Sequence, residues 1–225
     1  MSRTIAPIPK GTQRSWTVTM NGRKIETVSS ITIAHPRFGR LCYGLTTRGY
    51  DGFHFHEAGG GGAVILPYTW LGLVLHVALI KQHRSTQGGS VWNAPRGFRD
   101  PGESNHETAI RELWEETGYR AAESAVRELP GKPCNPNSTF FDTSGPDEGV
   151  RFYAVHVSSV DVSEGPDGPS LRTSSSCAGA VERAKEGIEG IRFFPVVFAA
   201  QVGDMFTVAA IGRLLADPAE PVTAP

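Results

Sequence analysis

The sequence predicts an α/β (α+β) fold: a mixed β-sheet sandwiched between helices, with an antiparallel β extension at the N-terminus. Three observations predict it. Short β-like runs separated by glycine, proline and asparagine fill most of the first half of the chain. A helix with clear start and stop signals follows near the middle. An amphipathic helix is predicted close to the end, at residues 205–216.

The N-terminal extension is predicted to begin with a hairpin. The runs 16–20 and 24–28 flank Asn21-Gly22, a dipeptide that favours the tight turn between two antiparallel strands. Further β-like runs follow at 30–34, 40–47 and 53–56. We therefore divide the chain into a β extension at 1–58, a main domain at 59–217 and a flexible tail at 218–225.

Residues 63–80 carry no charged side chain and approach the length of a membrane span. Pro67 and Gly72 interrupt the stretch, and His76 lies in its second half. Two buried strands at 63–66 and 73–80, joined by a turn, explain it better. No membrane span is therefore predicted.

The second half of the chain alternates between ordered and loop-like segments. Strands are predicted at 125–129, 150–157 and 190–195. The intervening segment 158–180 is rich in Ser, Gly and Pro, which predicts a long mobile loop.

The composition is that of a soluble globular protein. The 225 residues are 39% hydrophobic and 20% charged, with a formal net charge of −1. This balance gives no electrostatic case for binding a nucleic acid or a membrane. Three distant cysteines, Cys42, Cys134 and Cys177, fit neither a disulfide framework nor a zinc site, and the N-terminus lacks an apolar leader. A cytoplasmic location is expected.

The most informative segment is GFRDPGESNHETAIRELWEETGY, residues 97–119. Ser104 and Glu107 have the spacing of a capping box, which starts a helix. Gly118 is a helix stop signal. A helix is therefore predicted over 105–116.

Three carboxylates of this helix share one face. Glu112, Glu115 and Glu116 stand at i, i+3 and i+4. A solvated acidic face is the plain alternative. Clustered hard oxygen ligands suit Mg²⁺ or Mn²⁺, however, and Arg111 and Glu103 in the same segment favour a metal site.

The segment resembles the signature of the Nudix hydrolases. The matching positions are Gly97, Glu103, Arg111, Glu112, Glu115, Glu116 and Gly118. The resemblance implies a Nudix-type fold and Mg²⁺-dependent, or Mn²⁺-dependent, hydrolysis of a nucleotide derivative. It also implies that the three helix glutamates and the backbone carbonyl of Arg96 hold the metal. Arg111 would orient the catalytic glutamates, and Glu103 would brace the loop or assist the metal indirectly.

Wider features resemble the ADP-ribose pyrophosphatase branch of that family. They are the N-terminal β extension, Gln82-His83-Arg84 at a strand end, WNAPRG before the signature, and Asp204 and Thr207 in the last helix. This resemblance implies ADP-ribose as the lead substrate, with AMP and ribose 5-phosphate as products. It further implies a homodimer in which the N-terminal extension is exchanged.

Three residues are assigned to substrate binding. The branch resemblance gives Arg84 a phosphate or ribose contact, although a plain exposed arginine is the alternative. Arg96 is also assigned, and Phe98 belongs with other aromatics that could stack on a base, a role that single aromatics fill less often than core packing. The branch commonly has Glu where Asn93 stands and a small residue where Arg96 stands.

A separate group should accept the proton of the attacking water, because the signature glutamates are committed to metal. In the resembling branch this base is a glutamate on a loop after the strand that matches 150–157. Glu186 and Glu189, just before the next strand, are the favoured pair. Glu164 and Glu182 lie on the same stretch, and Glu148 is the reserve candidate.

Two other readings stay open. One is a Nudix hydrolase of another substrate class, acting on nucleoside triphosphates, NADH, nucleotide sugars or capped RNA. The other is a non-catalytic Nudix-fold nucleotide sensor. The complete set of signature carboxylates favours an enzyme.

Overall fold

The computed structural model describes residues 17–20, 23–35, 39–46, 51–57, 61–84, 88–133, 149–172 and 183–219, the first four ranges as backbone only. The chain divides into two compact units. One includes the strands before residue 58, and the other comprises 62–132 and the chain from Arg151 onward.

The first unit holds a four-stranded antiparallel sheet. Its strands are β1 (Thr17–Met20), β2 (Arg23–His35), β3 (Gly39–Thr46) and β4 (Asp51–Glu57), in that order. Met20 pairs with Arg23, which confirms the predicted hairpin, while residues 21 and 22 lie outside the described ranges. The runs predicted as separate strands at 24–28 and 30–34 form one strand, since β2 changes partner from β1 to β3 near Thr27 without a turn.

The second unit is built on a seven-stranded mixed sheet of order β13-β6-β5-β10-β9, with β7 beside β6 and β8 beside β5. Its strands are β5 (Gly61–Leu71), β6 (Val74–Arg84), β7 (Gly89–Asn93), β8 (Arg96–Phe98), β9 (Val126–Glu128), β10 (Gly149–His156) and β13 (Ile188–Pro195). A two-stranded ribbon adds β11 (Val162–Gly165) and β12 (Gly168–Leu171). The helices are α1 (Asn105–Thr117), α2 (Val196–Ala199) and α3 (Met205–Leu215).

Helices α1 and α3 cover opposite faces of this sheet. Ala109 and Leu113 of α1 pack in a buried cluster with Tyr153 of β10. Phe206 of α3 instead lies against Phe152, with ring centroids 6.3 Å apart. Adjacent residues of a strand point to opposite faces. The predicted sandwich of helix, sheet and helix is therefore confirmed.

The uncharged stretch 63–80 forms strands β5 and β6 joined by a turn, as predicted, but the first strand is longer than predicted and the turn correspondingly shorter. It lies at Gly72, which has a φ of 60°, and Pro67 is inside β5. Pro67 immediately precedes the residues that pair with β6, Tyr68–Leu71, so its missing N–H costs no bond in that ladder. Within the described ranges, no helix is long and apolar enough to cross a bilayer.

The segment predicted as a long loop at 158–180 is partly ordered. Residues 159–161 form a 3₁₀ turn, and β11 pairs with β12 across Gly165 and Gly168. Gly168 has a φ of 110°, which glycine adopts readily. Ser170 Oγ donates to the Ile191 carbonyl at 2.7 Å, which ties the ribbon to β13. The loop prediction was therefore wrong for 159–171, while residues 173–182 lie outside the described ranges.

Candidate active site

Helix α1 begins and ends where the sequence predicts, to within one residue. Ser104 Oγ accepts the Glu107 N–H at 3.2 Å, and the Glu107 carboxylate accepts the Ser104 N–H at 2.7 Å. Gly118 has a φ of 72°, and its N–H donates to the Trp114 carbonyl at 2.8 Å. These caps set the rotation of the helix and so the direction in which its glutamates point.

The loop between β8 and α1 is braced by an arginine and a glutamate. Arg111 Nε and Nη2 donate to the two oxygens of Glu103 at 2.9 and 3.0 Å. Arg111 Nη2 also donates to the Phe98 carbonyl at 2.8 Å, and Thr108 Oγ1 donates to Glu103 at 2.8 Å. This two-pronged pairing holds both ends of the loop against α1. These contacts fit the first of the two roles implied for Glu103, which were to brace the loop or to assist the metal indirectly.

Arg111 also connects two of the helix glutamates. Its Nη1 donates to Glu112 at 2.5 Å and to Glu115 at 2.9 Å. Burial alone would lower the pKa of Arg111, but its hydrogen bonds to Glu103 and the charge of Glu112 raise it above its usual value. Arg111 is therefore a permanent cation that is hydrogen-bonded to both carboxylates.

Two of the three helix carboxylates are buried. Glu112 is 8% and Glu116 is 3% exposed, whereas the Glu115 side chain is 29% exposed. Burial raises the pKa of Glu112 to about 7. Burial and then the charge of Glu112 raise the pKa of Glu116 well above its usual value. The raised pKa values mean that the surrounding protein compensates the negative charges of Glu112 and Glu116 only in part. Carboxylate oxygens in such a setting suit a hard cation.

The backbone of β8 forms the opposite wall of this acidic site. The Arg96 N–H donates to Glu116 Oε2 at 2.7 Å. A Cβ placed on Gly97 would lie 1.8 Å from Glu112 Oε1. A side chain at position 97 would therefore occupy the space of the Glu112 carboxylate, which explains the glycine physically.

Within the described ranges, no three His, Cys, Asp or Glu side chains converge closely enough to enclose a metal ion by themselves. Mg²⁺ does not need such a cage, because it keeps several waters and binds through one or two carboxylates plus substrate phosphates. The residues available to it are Glu112, Glu115, Glu116 and the backbone of Arg96.

Arg84 lies at the end of β6, beside the acidic site. Its Nη2 donates to Asn93 Oδ1 at a long 3.5 Å. Burial and then the charge of Arg96 lower the pKa of Arg84, and the charge of Glu116 opposes them. A half-buried guanidinium is thus placed near the helix glutamates. Asn93, 1% exposed, contacts it where the resembling branch commonly has Glu.

The other two residues assigned to substrate binding are placed differently. The Arg96 guanidinium pairs with both oxygens of Asp204 and lies over the Phe206 ring, 4.6 Å from its centroid. Phe98 is 51% exposed, and its carbonyl accepts a hydrogen bond from Arg111. The contact of Arg96 with Asp204 and Phe206 was not predicted from the sequence. The one sequence feature that indicates it is the arginine at position 96, where the resembling branch has a small residue.

Of the two favoured bases, Glu186 is the one whose charge affects the helix glutamates. It follows the helical residues 183–185, and Gln82 Nε2 donates to its carbonyl at 3.0 Å. The charge of Glu186 contributes to raising the pKa of both Glu112 and Glu116. Its backbone is anchored to β6, and its role as the general base stays a prediction.

Glu189 has other partners. It accepts from Ser90 Oγ at 2.5 Å and lies 3.4 Å from Lys81 Nζ. The hydrogen bond from Ser90 lowers the pKa of Glu189, which makes it a weaker proton acceptor. Of the remaining candidates, Glu164 lies in the ribbon strand β11, and Glu148 and Glu182 lie outside the described ranges.

A family model described as "NUDIX domain" matches residues 75–196, which is more than half of the chain. Three curated relatives match over shorter segments. A "Putative 8-oxo-dGTP diphosphatase" of Bacillus subtilis (strain 168) is 60% identical over 16% of this chain and 24% of its own length. A "Putative nudix hydrolase 2" of Caenorhabditis elegans is 40% identical over 28% of each chain. The asymmetrical bis(5'-nucleosyl)-tetraphosphatase of Rattus norvegicus is 44% identical over 20% of this chain and 31% of its own. The chain thus matches less than a third of the length of each.

A similarity to a solved structure extends much further along the chain. The crystal structure of an ADP compounds hydrolase covers 86% of this chain and 94% of its own, with a TM-score of 0.51 and 15% sequence identity. At this level of identity the similarity shows a shared fold.

Proposed function

The chain belongs to the NUDIX domain family, and we propose that it is a metal-dependent hydrolase of the diphosphate bond in a nucleoside diphosphate linked to another moiety. The observation that carries this proposal is the buried pair Glu112 and Glu116, whose charges are incompletely neutralised. ADP-ribose is the lead substrate, with AMP and ribose 5-phosphate as products. The branch resemblance and the fold shared with an ADP compounds hydrolase support this choice.

In this proposal Glu112, Glu115 and Glu116, with the Arg96 carbonyl, hold Mg²⁺ or Mn²⁺. When bound, the cation supplies charge neutralisation at the phosphate oxygens and lowers the pKa of a coordinated water. Arg111 orients Glu112 and Glu115 through the bonds described above.

The remaining residues bind substrate and move the proton. The Arg84 guanidinium contacts the diphosphate, because it is half-buried near the acidic site and its bond to Asn93 is long. Water attacks one phosphorus of the diphosphate while the bridging P–O bond breaks and the second phosphate leaves. Glu186 accepts the proton of that water.

A nucleoside triphosphate or a dinucleoside polyphosphate is the alternative substrate, since two relatives are named for 8-oxo-dGTP and for dinucleoside tetraphosphate. Those matches cover only 16% and 20% of this chain. The similarity in fold to the ADP compounds hydrolase covers 86% of this chain, so ADP-ribose stays the lead substrate.

A hydrolysis screen tests the proposal. ADP-ribose, NADH, a nucleotide sugar, dGTP and a capped dinucleotide are each incubated with the enzyme and Mg²⁺ or Mn²⁺, and products are separated by chromatography. The highest kcat/KM is expected for ADP-ribose, with AMP and ribose 5-phosphate in equal amounts. Faster release of pyrophosphate from dGTP would assign the alternative class. Binding of nucleotides without hydrolysis of any would indicate a sensor.

Gly97→Ala is expected to lower kcat/KM by about 10–100-fold, the usual scale for a disturbed metal site. The added methyl displaces the Glu112 carboxylate, which is the far end of a flexible side chain, so the fold and the melting temperature should change little. Gly212→Ala in α3, where a Cβ meets nothing within 4 Å, is the control. Wild-type kcat/KM in Gly97→Ala would contradict the placement of Glu112.

A homodimer built through residues 1–58 is also proposed. In its described residues the first unit holds a single four-stranded sheet, and the apolar face of a sheet must be buried against another element. Light scattering at micromolar protein should give twice the chain mass of 24.2 kDa. A fully active monomer, or a truncation of 1–58 that stays soluble and active, would refute this assembly.

A further inference from the structure

The first turn of α3 is attached to the segment that carries the wall of the acidic site. Thr207, which is 0% exposed, accepts the Ala94 N–H on its Oγ1 at 2.7 Å. Asp204, which precedes the helix, pairs with the Arg96 guanidinium, and Phe206 lies beneath that guanidinium. Arg96 therefore has its side chain fastened to α3.

The backbone of the same residue is fastened to α1. The Arg96 N–H donates to Glu116 Oε2 at 2.7 Å, so one residue connects α3 to the buried glutamate. We propose that the Arg96–Asp204 ion pair is a positioning device that holds the β8 backbone where its N–H orients Glu116 toward the metal. The inference rests on the proposed metal site.

The Arg96–Asp204 pair is partly buried and packed against an aromatic ring. The side chains of Arg96 and Asp204 are 22% and 12% exposed, so solvent screens their attraction less than at an open surface. The Phe206 ring restricts the guanidinium from below. If Asp204 lost its charge, the Arg96 cation would be left partly buried and unpaired. It would move toward water and pull β8 with it.

The far end of α3 is also fixed, so the helix is a firm platform. Arg213 donates to the carbonyls of Pro130 and Lys132 at 3.3 and 2.6 Å. Asp217, just after the helix, pairs with Arg127. Both ends of α3 are thus bonded to segments next to strands of the sheet. Because the helix is held in this way, Asp204 can hold Arg96 in place.

A charge effect and a positioning effect of the ion pair predict different changes in cation affinity for the two single variants, so the inference can be tested. By charge alone, Arg96→Met would tighten binding of a cation and Asp204→Asn would weaken it. If the pair positions Glu116, both variants weaken cation binding. The double variant is then no weaker than the worse single variant, because each change breaks the same link.

The experiment measures Mn²⁺ binding by titration calorimetry, without substrate, well below the melting temperature of each variant. Arg96→Met and Asp204→Asn are each expected to raise the Mn²⁺ dissociation constant about tenfold, the lower end for groups that orient metal ligands. Arg96→Lys should recover part of the loss. Arg151→Met and Glu128→Gln are matched controls, since they break the pair Arg151–Glu128, whose side chains are 26% and 43% exposed, and should leave the constant unchanged.

Three results would overturn the inference. Opposite signs for the two variants would indicate charge alone. Lower melting temperatures with unchanged Mn²⁺ affinity would indicate a purely structural pair. A further tenfold loss on adding Arg96→Met to Glu116→Gln would show that Arg96 does not act through Glu116. If wild type bound Mn²⁺ no better than Glu116→Gln, the proposed metal site would fail together with this inference, whereas the first three results leave that site standing.

Discussion

Glu116→Gln is expected to abolish hydrolysis while the protein still folds. The glutamine keeps the size of the side chain and offers an oxygen to the Arg96 N–H, which bonds Glu116 at 2.7 Å. It removes an anionic ligand from the proposed metal site. Loss of groups that merely orient metal ligands costs about 10–100-fold, so loss of a ligand itself should exceed that range. Initial rates at saturating Mg²⁺ measure the effect.

Glu115→Gln should have the same outcome, because Glu115 belongs to the same proposed ligand set and is held by Arg111 at 2.9 Å. Glu128→Gln, which removes a 43% exposed carboxylate on β9, is the control and should retain wild-type rates. Wild-type turnover by either signature variant at saturating Mg²⁺ would show that the metal assignment is wrong.

The stability of Glu116→Gln without metal gives a check that does not depend on activity. Burial and then Glu112 raise the pKa of Glu116 well above the ordinary 4.5. A carboxyl group shifted this way favours folding at low pH, and its contribution is lost as pH rises through the folded-state pKa. The neutral glutamine escapes that loss. The variant should therefore melt higher than wild type at pH 8, and by a smaller margin at pH 5.

Helix α1 could be predicted almost to the residue because its signals are local. The capping box, the stop glycine and the spacing of the glutamates all lie within 97–119. The shared face of Glu112 and Glu116 follows from helix geometry alone. The burial of these two glutamates does not follow from helix geometry, because it depends on how closely strand β8 lies against α1. The contact between Gly97 and the Glu112 carboxylate shows this closeness only in the structure.

The contacts that could not be predicted join distant parts of the chain. Arg96 and Asp204 are 108 positions apart, and Ser90 and Glu189 are 99 apart. No local pattern reports such a pairing. The continuation of β5 through Pro67 could not be predicted for a similar reason. Whether a proline interrupts a strand depends on which backbone groups its neighbours pair with.

Glu186→Gln is expected to lower kcat by at least about a hundredfold with little change in KM, the usual result of losing a general base. The charge of Glu186 contributes to raising the pKa of Glu112 and of Glu116, which supports this choice of base. Its backbone is held by Gln82 at 3.0 Å, which fixes the loop in register with β6. The glutamine variant keeps that backbone contact and removes only the proton acceptor.

Glu189→Gln is the matched comparison, three residues further along the same segment. Its carboxylate is already bonded to Ser90 and close to Lys81, so a change there should leave kcat within a few-fold of wild type. Pre-steady-state and steady-state rates of ADP-ribose hydrolysis by both variants would show which of the two glutamates is the base. If Glu189→Gln lost the activity and Glu186→Gln kept it, the base would be Glu189. If both stayed near wild type and Glu148→Gln were inactive, the base would lie before β10, because a proton acceptor is still required by the attack of water on phosphorus.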